Sequence, residues 1–191
     1  MKMGMFFLLG TLVGIGTMLL PKFAMHIHAA QSLSEAPGGA PAHAEEKFEF
    51  TAHGPMEIVG PLFGADQERA WAPKWNPSFV WPANPADQRG MVFRVSHGDM
   101  HSTWVNTQFD LKSGNVQYAY VIPGALVTVI TIKLEPRGDE THVSVAYDRT
   151  ALSADANPHV QHMAEQDRKA GPEWEGQINR YLESRGAAMK K

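Results

Sequence analysis

One acidic residue interrupts an apolar helical stripe near the C-terminus. At about 100° per residue, Val160, Met163, Ala164, Asp167, Ala170, Gly171, Trp174, Ile178, Tyr181 and Leu182 fall on one face. An unpaired buried carboxylate is costly, so Asp167 must pair, protonate or meet a polar group of a ligand. With a raised pKa it has the chemistry of a general acid or base. The plainer alternative is that the helix is slightly rotated and Asp167 reaches the rim, to pair there with Arg94 or Arg149. The small residues Ala170 and Gly171 beside it point to a hollow core at that level, with one polar group aimed into it.

Other side chains have weaker claims. Tyr118 and Tyr147 sit on strand-like segments and either offer hydroxyls to a ligand carbonyl or pack as core aromatics. Trp71, Trp75 and Trp81 lie in a short irregular stretch interrupted by Pro73 and Pro77. They form an aromatic gate, or packing that pins the loop, or both. His97 and His101 flank a turn containing Asp99, and His159, His162 and Glu165 follow one another at helical spacing. Solvated histidines explain both groups better than a metal does. HExxH, GxGxxG, P-loop and GxSxG signatures are absent, so neither metal nor cofactor is expected.

Several elements must position these groups. Residues 47–53 alternate as a first strand, with Phe48 and Phe50 on one side. Met56, Val59, Leu62 and Phe63 recur at helical spacing, and a second short helix is expected over 65–71. Strands are expected over about 78–81, 91–97, 102–110, 115–122, 126–135 and 141–150, separated by turn residues such as Ser113 with Gly114 and Pro123 with Gly124. Links this short force antiparallel neighbours. Alternation assigns Phe93, Val95, Val105, Phe109, Val116, Tyr118, Ile130, Ile132, Leu134, Val143, Val145 and Tyr147 to the inner face. Asn157 as N-cap and Pro158 open a long helix, kinked by Pro172 near Arg168 and ended by Gly186.

The chain has 191 residues, of which 43% are hydrophobic and 19% charged; 17 Lys and Arg against 20 Asp and Glu leave a formal charge of −3. Without a basic field, nucleic acid is not an expected partner. Cysteine is absent, which excludes disulfides and thiolate chemistry. Residues 3–20 carry no charge. As a helix they would extend roughly 27 Å, close to a hydrocarbon core of about 30 Å. The segment 1–23 reads as a membrane anchor flanked by Lys2 and Lys22, or as a cleaved export signal. Either way the domain is expected outside the cytoplasm, anchored or released. Residues 24–46 read as a disordered linker, 47–185 as the folded domain and 186–191 as a tail.

The order and spacing of elements, rather than any single motif, resemble the SRPBCC superfamily (START, polyketide cyclase and birch-pollen-allergen-like proteins). The resemblance rests on Trp71, Pro73 and Trp75; on His97 with Gly98; on Thr103, Trp104, Val105, Thr107, Phe109 and Asp110; on Pro123 with Gly124; and on Thr150, Leu152, Ser153 and Asn157. Trp174, Glu175, Tyr181 and Leu182 complete it. It implies an α+β helix-grip fold, a curved antiparallel sheet of about seven strands wrapped on a long C-terminal helix. It also implies a pocket for a hydrophobic small molecule or lipid between sheet and helix. It does not imply an enzyme, since the superfamily includes carriers, receptors, cyclases and co-chaperones. Trp71, Trp75, Phe93, Val105, Tyr118, Ile130, Tyr147, Met163, Asp167 and Trp174 are the expected ligand-binding residues. The expected function is non-catalytic binding. The alternatives are a cofactor-independent cyclase or dehydratase using Asp167, and a protein-interaction module.

Overall fold

The computed structural model describes residues 39–98 and 100–189. The expected anchor at 3–20, most of the expected linker, and Asp99 lie outside the described residues. Among the described residues, no helix is long and apolar enough to cross a membrane.

Seven strands form one antiparallel sheet: β1 (His43–Ala52), β2 (Ser78–Trp81), β3 (Val92–His97), β4 (Met100–Asp110), β5 (Asn115–Ile122), β6 (Leu126–Arg137) and β7 (Glu140–Ala151). Their spatial order is β1-β7-β6-β5-β4-β3-β2. Strands β2 to β7 are therefore a meander, and β1 closes one edge beside β7. A short helix, α1 (Met56–Val59), and two 3-10 turns, Gly60–Phe63 and Gln67–Ala70, follow β1. After β7 come a 3-10 turn (Ala154–Ala156), α2 (Asn157–Asp167) and α3 (Gly171–Met189). Helix α2 lies over β1 and β7, and α3 lies over β1.

Period-2 burial runs cleanly through β5, β6 and β7, whose inward residues Val116, Tyr118, Ile130, Ile132, Leu134, Val143, Val145 and Tyr147 are all buried. Strand β4 breaks the rule. Its register against β5 shifts between Asn106 and Gln108. One extra residue reverses the inward parity on either side of a bulge. Phe109 therefore faces inward beyond it, but before it the inward residues are Ser102, Trp104 and Asn106, paired with Val95, Phe93 and Tyr118. Val105, expected on the inner face, lies on the other one.

Several strand ends shift by one or two residues from the sequence reading, and four differences have a plain physical reason. Strand β1 begins at His43, so residues 43–46, assigned to the linker, are paired with β7. The long C-terminal helix is two helices, because Pro172 has no N–H to carry the α2 ladder onward; α3 restarts with it in the first turn, where that donor is not needed. Asn157 is the first residue of α2 rather than its cap. Its side chain instead accepts from the Ala42 N–H at 2.6 Å and donates to the Ala40 carbonyl at 3.1 Å. Finally, α3 runs through Gly186 to Met189, since one glycine costs only about 1 kcal/mol in a helix.

The free edge of β1 is covered by helix side chains. Asn179, buried in α3, accepts from the His53 N–H at 2.8 Å and donates to the Thr51 carbonyl at 3.0 Å, and Glu175 accepts from the Thr51 N–H at 3.3 Å. An otherwise unpaired strand edge is thereby satisfied.

Candidate functional site

The core is solid where the helical stripe suggested a hollow. A Cβ on Gly171 would stand 3.4 Å from two side-chain carbons of Phe48 and 3.6 Å from the Glu49 carbonyl oxygen. The small residue lets the start of α3 close onto β1 rather than leaving space. Asp167 does not face a void either. Arg149, on β7, donates from Nε to Asp167 Oδ2 at 2.7 Å and from Nη2 to Oδ1 at 2.9 Å. Its Nη1 reaches Thr128 Oγ1 at 2.9 Å and the Tyr120 hydroxyl, and lies 3.9 Å from Met163 Sδ. The guanidinium carbon stands 4.7 Å from the Tyr147 ring centroid. Burial pushes the Asp167 carboxyl above its ordinary value, with Arg149 pulling against it. Burial also opposes the charge on Arg149, and its bonds to Asp167 and Tyr120 outweigh that opposition, so it stays cationic. The arrangement fixes the end of α2 to the sheet.

The cavity lies further along the sheet, under the tryptophan loop. It measures about 370 Å³ and is lined by Glu68, Trp71, Trp75, Phe93, Trp104, Tyr118, Ile130, Ile132, Tyr147 and Trp174, with Ala72, Pro73, Lys74, Glu173 and Gln177 completing it. Pro73, Lys74 and Glu173 are exposed and form the rim. Seven of the expected residues line it: Trp71, Trp75, Phe93, Tyr118, Ile130, Tyr147 and Trp174. Three do not. Val105 is turned away by the bulge, Met163 packs over Arg149, and Asp167 is paired. Trp81, 54% exposed on edge strand β2, lies outside the gate as well.

Rings tile the walls. Trp71 meets Trp174 edge-on at 5.3 Å between centroids, Trp75 meets Trp104 at 5.4 Å, and Trp104 stacks on Tyr120 at 4.2 Å. The loop that carries Trp71 and Trp75 is anchored from within. The Trp71 indole N–H donates to the Leu62 carbonyl at 2.8 Å and that of Trp75 to the Ala65 carbonyl at 2.6 Å. Arg69 braces the same loop through Asp66 at 3.0 Å and through Asn76 and the Pro77 carbonyl.

Glu68 is the functional candidate that periodicity missed. It sits in the Gln67–Ala70 turn, 9% exposed, with its carboxyl on the cavity and no hydrogen-bond partner among the described residues. Burial pushes its pKa well above the ordinary range, and the nearby Asp87 carboxyl adds to the effect. Asp87 is raised too, by burial, against a bond from the Ala65 backbone. It lies so close to the 3-10 turns that a Cβ on Gly64 would stand 2.0 Å from Asp87 Oδ2; only glycine admits it. Tyr118 donates to the Phe63 carbonyl at 2.9 Å, and burial with both carboxyls raises its pKa well above ordinary. Asn106 is fully buried beside it, its side-chain N and O unpartnered.

Metal-ligating groups cluster at the surface. His43, Glu45 and Asp148 bring their ligating atoms within 4.8 Å of one another, all exposed. The His101 ring contacts Ser96 Oγ at 2.9 Å.

No protein-family model and no curated protein sequence matches the chain. Solved structures do match it. Norcoclaurine synthase from Thalictrum flavum superposes with a TM-score of 0.54 at 10% identity, covering 74% of this chain and 87% of its own. An uncharacterised protein from Rhizobium leguminosarum gives 0.55 at 12% identity, over 76% and 97%. Ara h 8.0201 gives 0.50 at 14% identity, over 72% and 98%. The domain has the helix-grip fold. At such identities the likeness establishes architecture, and the choice of ligand rests on the residues of this cavity. The helix-grip domain here departs from a plain sheet-and-helix container in one respect. Its cavity is roofed by the 71–75 loop and the first turns of α3, while α2 is anchored to the sheet by Arg149.

Proposed function

We propose that the helix-grip domain binds a small, largely apolar, ring-containing molecule without transforming it. The supporting observation is the cavity of about 370 Å³ walled by Trp71, Trp75, Phe93, Trp104, Tyr118, Tyr147 and Trp174. Its size is at the lower end of small-molecule sites, which run from about 300 to 1,000 Å³. A compact ring system suits it better than a two-chain lipid. Burying apolar ligand surface contributes on the order of 25 cal/mol per Å² before ordering costs. The acid–base role considered for Asp167 finds no support in its position, since both oxygens are bonded to Arg149 and neither borders the cavity. Localisation belongs to the same proposal. The uncharged segment 3–20 tethers the domain to a membrane and holds it outside the cytoplasm.

Native mass spectrometry of the full chain, with and without added 2-naphthol, tests the binding reading. One saturable equivalent is expected, and it should disappear in Ile130→Trp, which fills the cavity floor. Absence of any saturable binding, or binding unaffected by Ile130→Trp, overturns it.

A further inference from the structure

Four of the lining rings turn their donors away from the cavity. Trp71, Trp75 and Trp104 all direct their indole N–H groups to protein acceptors, at 2.8, 2.6 and 2.8 Å. Tyr118 gives its hydroxyl proton to the Phe63 carbonyl. These four rings therefore present π-surface to the cavity, with their best donors turned away. Among what remains are the Tyr147 hydroxyl and the Trp174 indole N–H, which make no such bond among the described residues, and one acidic group, the Glu68 carboxyl, buried and without a hydrogen bond among the described residues, near the Asp87 carboxyl. An unpaired carboxyl in an apolar site destabilises the fold, and its retention calls for a ligand group that compensates it. Aromatic faces attract cations, most strongly when desolvated, and a carboxylate supplies the full opposite charge. Lys74 stands at the exposed rim and so leaves the interior without a resident cation.

We infer that the cavity takes an organic ammonium ion, a primary or methylated amine carried on an apolar ring system, with Glu68 as its counter-ion and the tryptophans as its cage. This rests on the binding reading above and names the polar end of the same ligand. Burial raises the Glu68 pKa and so favours its protonated form when no cation lies beside it. A cationic amine binds the ionised form, so Glu68 releases its proton as the ligand enters. Affinity for an amine then rises with pH, up to tenfold per unit, until the pKa of Glu68 in the empty protein is passed. The groups facing Glu68 are Asp87 before β3, Tyr118 on β5 and Tyr147 on β7; Lys74 and Glu173 stand at the rim. Asp87 is the one whose own ionisation opposes that of Glu68.

Isothermal titration of the full chain with three probes of one shape distinguishes the possibilities: 1-naphthylmethylamine, 1-naphthalenemethanol and 1-acetonaphthone. At pH 8 the amine should bind at least tenfold more tightly than the alcohol, and the preference should shrink as pH falls, with protons released on binding there, read in buffers of differing ionisation enthalpy. Glu68→Gln, nearly isosteric, should bring amine and alcohol within threefold of each other, and Glu68→Asp should retain part of the preference. Equal binding of amine and alcohol by the wild-type protein overturns the inference while leaving the cavity reading intact. So does an amine preference that survives Glu68→Gln, or tighter binding of the ketone that weakens as pH rises. If none of the three binds, the cavity reading fails first and takes this one with it.

Discussion

Arg149 grips Asp167 through two parallel hydrogen bonds of 2.7 and 2.9 Å, with the Arg149 side chain 3% and the Asp167 side chain 11% exposed. The pair joins β7 to the last residue of α2, next to Arg168, which donates to Glu46 on β1. Breaking a buried pair leaves one charge uncompensated, at a cost of about 3–5 kcal/mol. Asp167→Ala and Arg149→Ala should each lower stability to urea by about that much. The apolar double replacement Arg149→Met with Asp167→Leu should recover most of it. A double replacement that loses the sum of both single effects would show that the two side chains act independently.

Glu68 should make the ligand-free domain less stable as pH rises. Its folded pKa lies above its unfolded value near 4.5. Between the two, the unfolded chain has released a proton that the folded one retains, so stability falls with a slope of up to about 1.4 kcal/mol per pH unit. Below the unfolded value both states are protonated and nothing is lost. Glu68→Gln should remove this contribution, giving a higher Tm than wild type at pH 7 and a smaller difference at pH 4. Thermal melts across that range check it; an unchanged or lower Tm at pH 7 contradicts the assignment.

The bulge in β4 predicts opposite results from adjacent substitutions. Trp104 contacts Trp75, Phe93 and Tyr120 on the inner face, so Trp104→Ala should cost about 3 kcal/mol and enlarge the cavity. Val105→Ala, on the other face, should cost less than about 1 kcal/mol. Urea midpoints measure both, and equal losses would place the bulge elsewhere.

Asn157 holds the start of the domain. Its two bonds to the backbone of residues 40 and 42 should be worth about 1 kcal/mol each at most. Asn157→Ala should speed amide exchange at Ala42 with little change at the strand centre. Uniform acceleration along β1 would mean that the side chain supports the whole strand.

Much of the architecture was legible because strands announce themselves by alternation and turns by residue type. The bounds of β5 emerge from sequence unaltered, and its inward residues lie where period 2 puts them. The site was legible only in part. Alternation found Phe93, Tyr118, Ile130 and Tyr147, and the loop composition found Trp71 and Trp75. It could not register a one-residue bulge, which exchanges Val105 for Trp104 without changing composition. Glu68 escaped for another reason. Its 3-10 turn is four residues long, too short to establish a period, and the flanking Gln67 and Arg69 give the segment the look of a solvated surface. The signal that would have found it is indirect: Gly64 and Asp87, far apart in sequence, come together beneath that turn. The stripe allowed Asp167 to be buried and aimed into a pocket, or paired at the rim with Arg94 or Arg149; it is buried and paired with Arg149, a combination of the two. What the stripe could not show is that Ala170 and Gly171 serve close packing on Phe48 rather than a hollow.

A crystal structure of the full chain grown with 2-naphthol tests the binding reading most directly. The ring should lie among Trp71, Trp75, Trp104 and Trp174, with the Arg149–Asp167 pair undisturbed and the 71–75 loop closed above it. A structure in which those indoles fill the space themselves, and the probe is found only on the protein's surface, would contradict it.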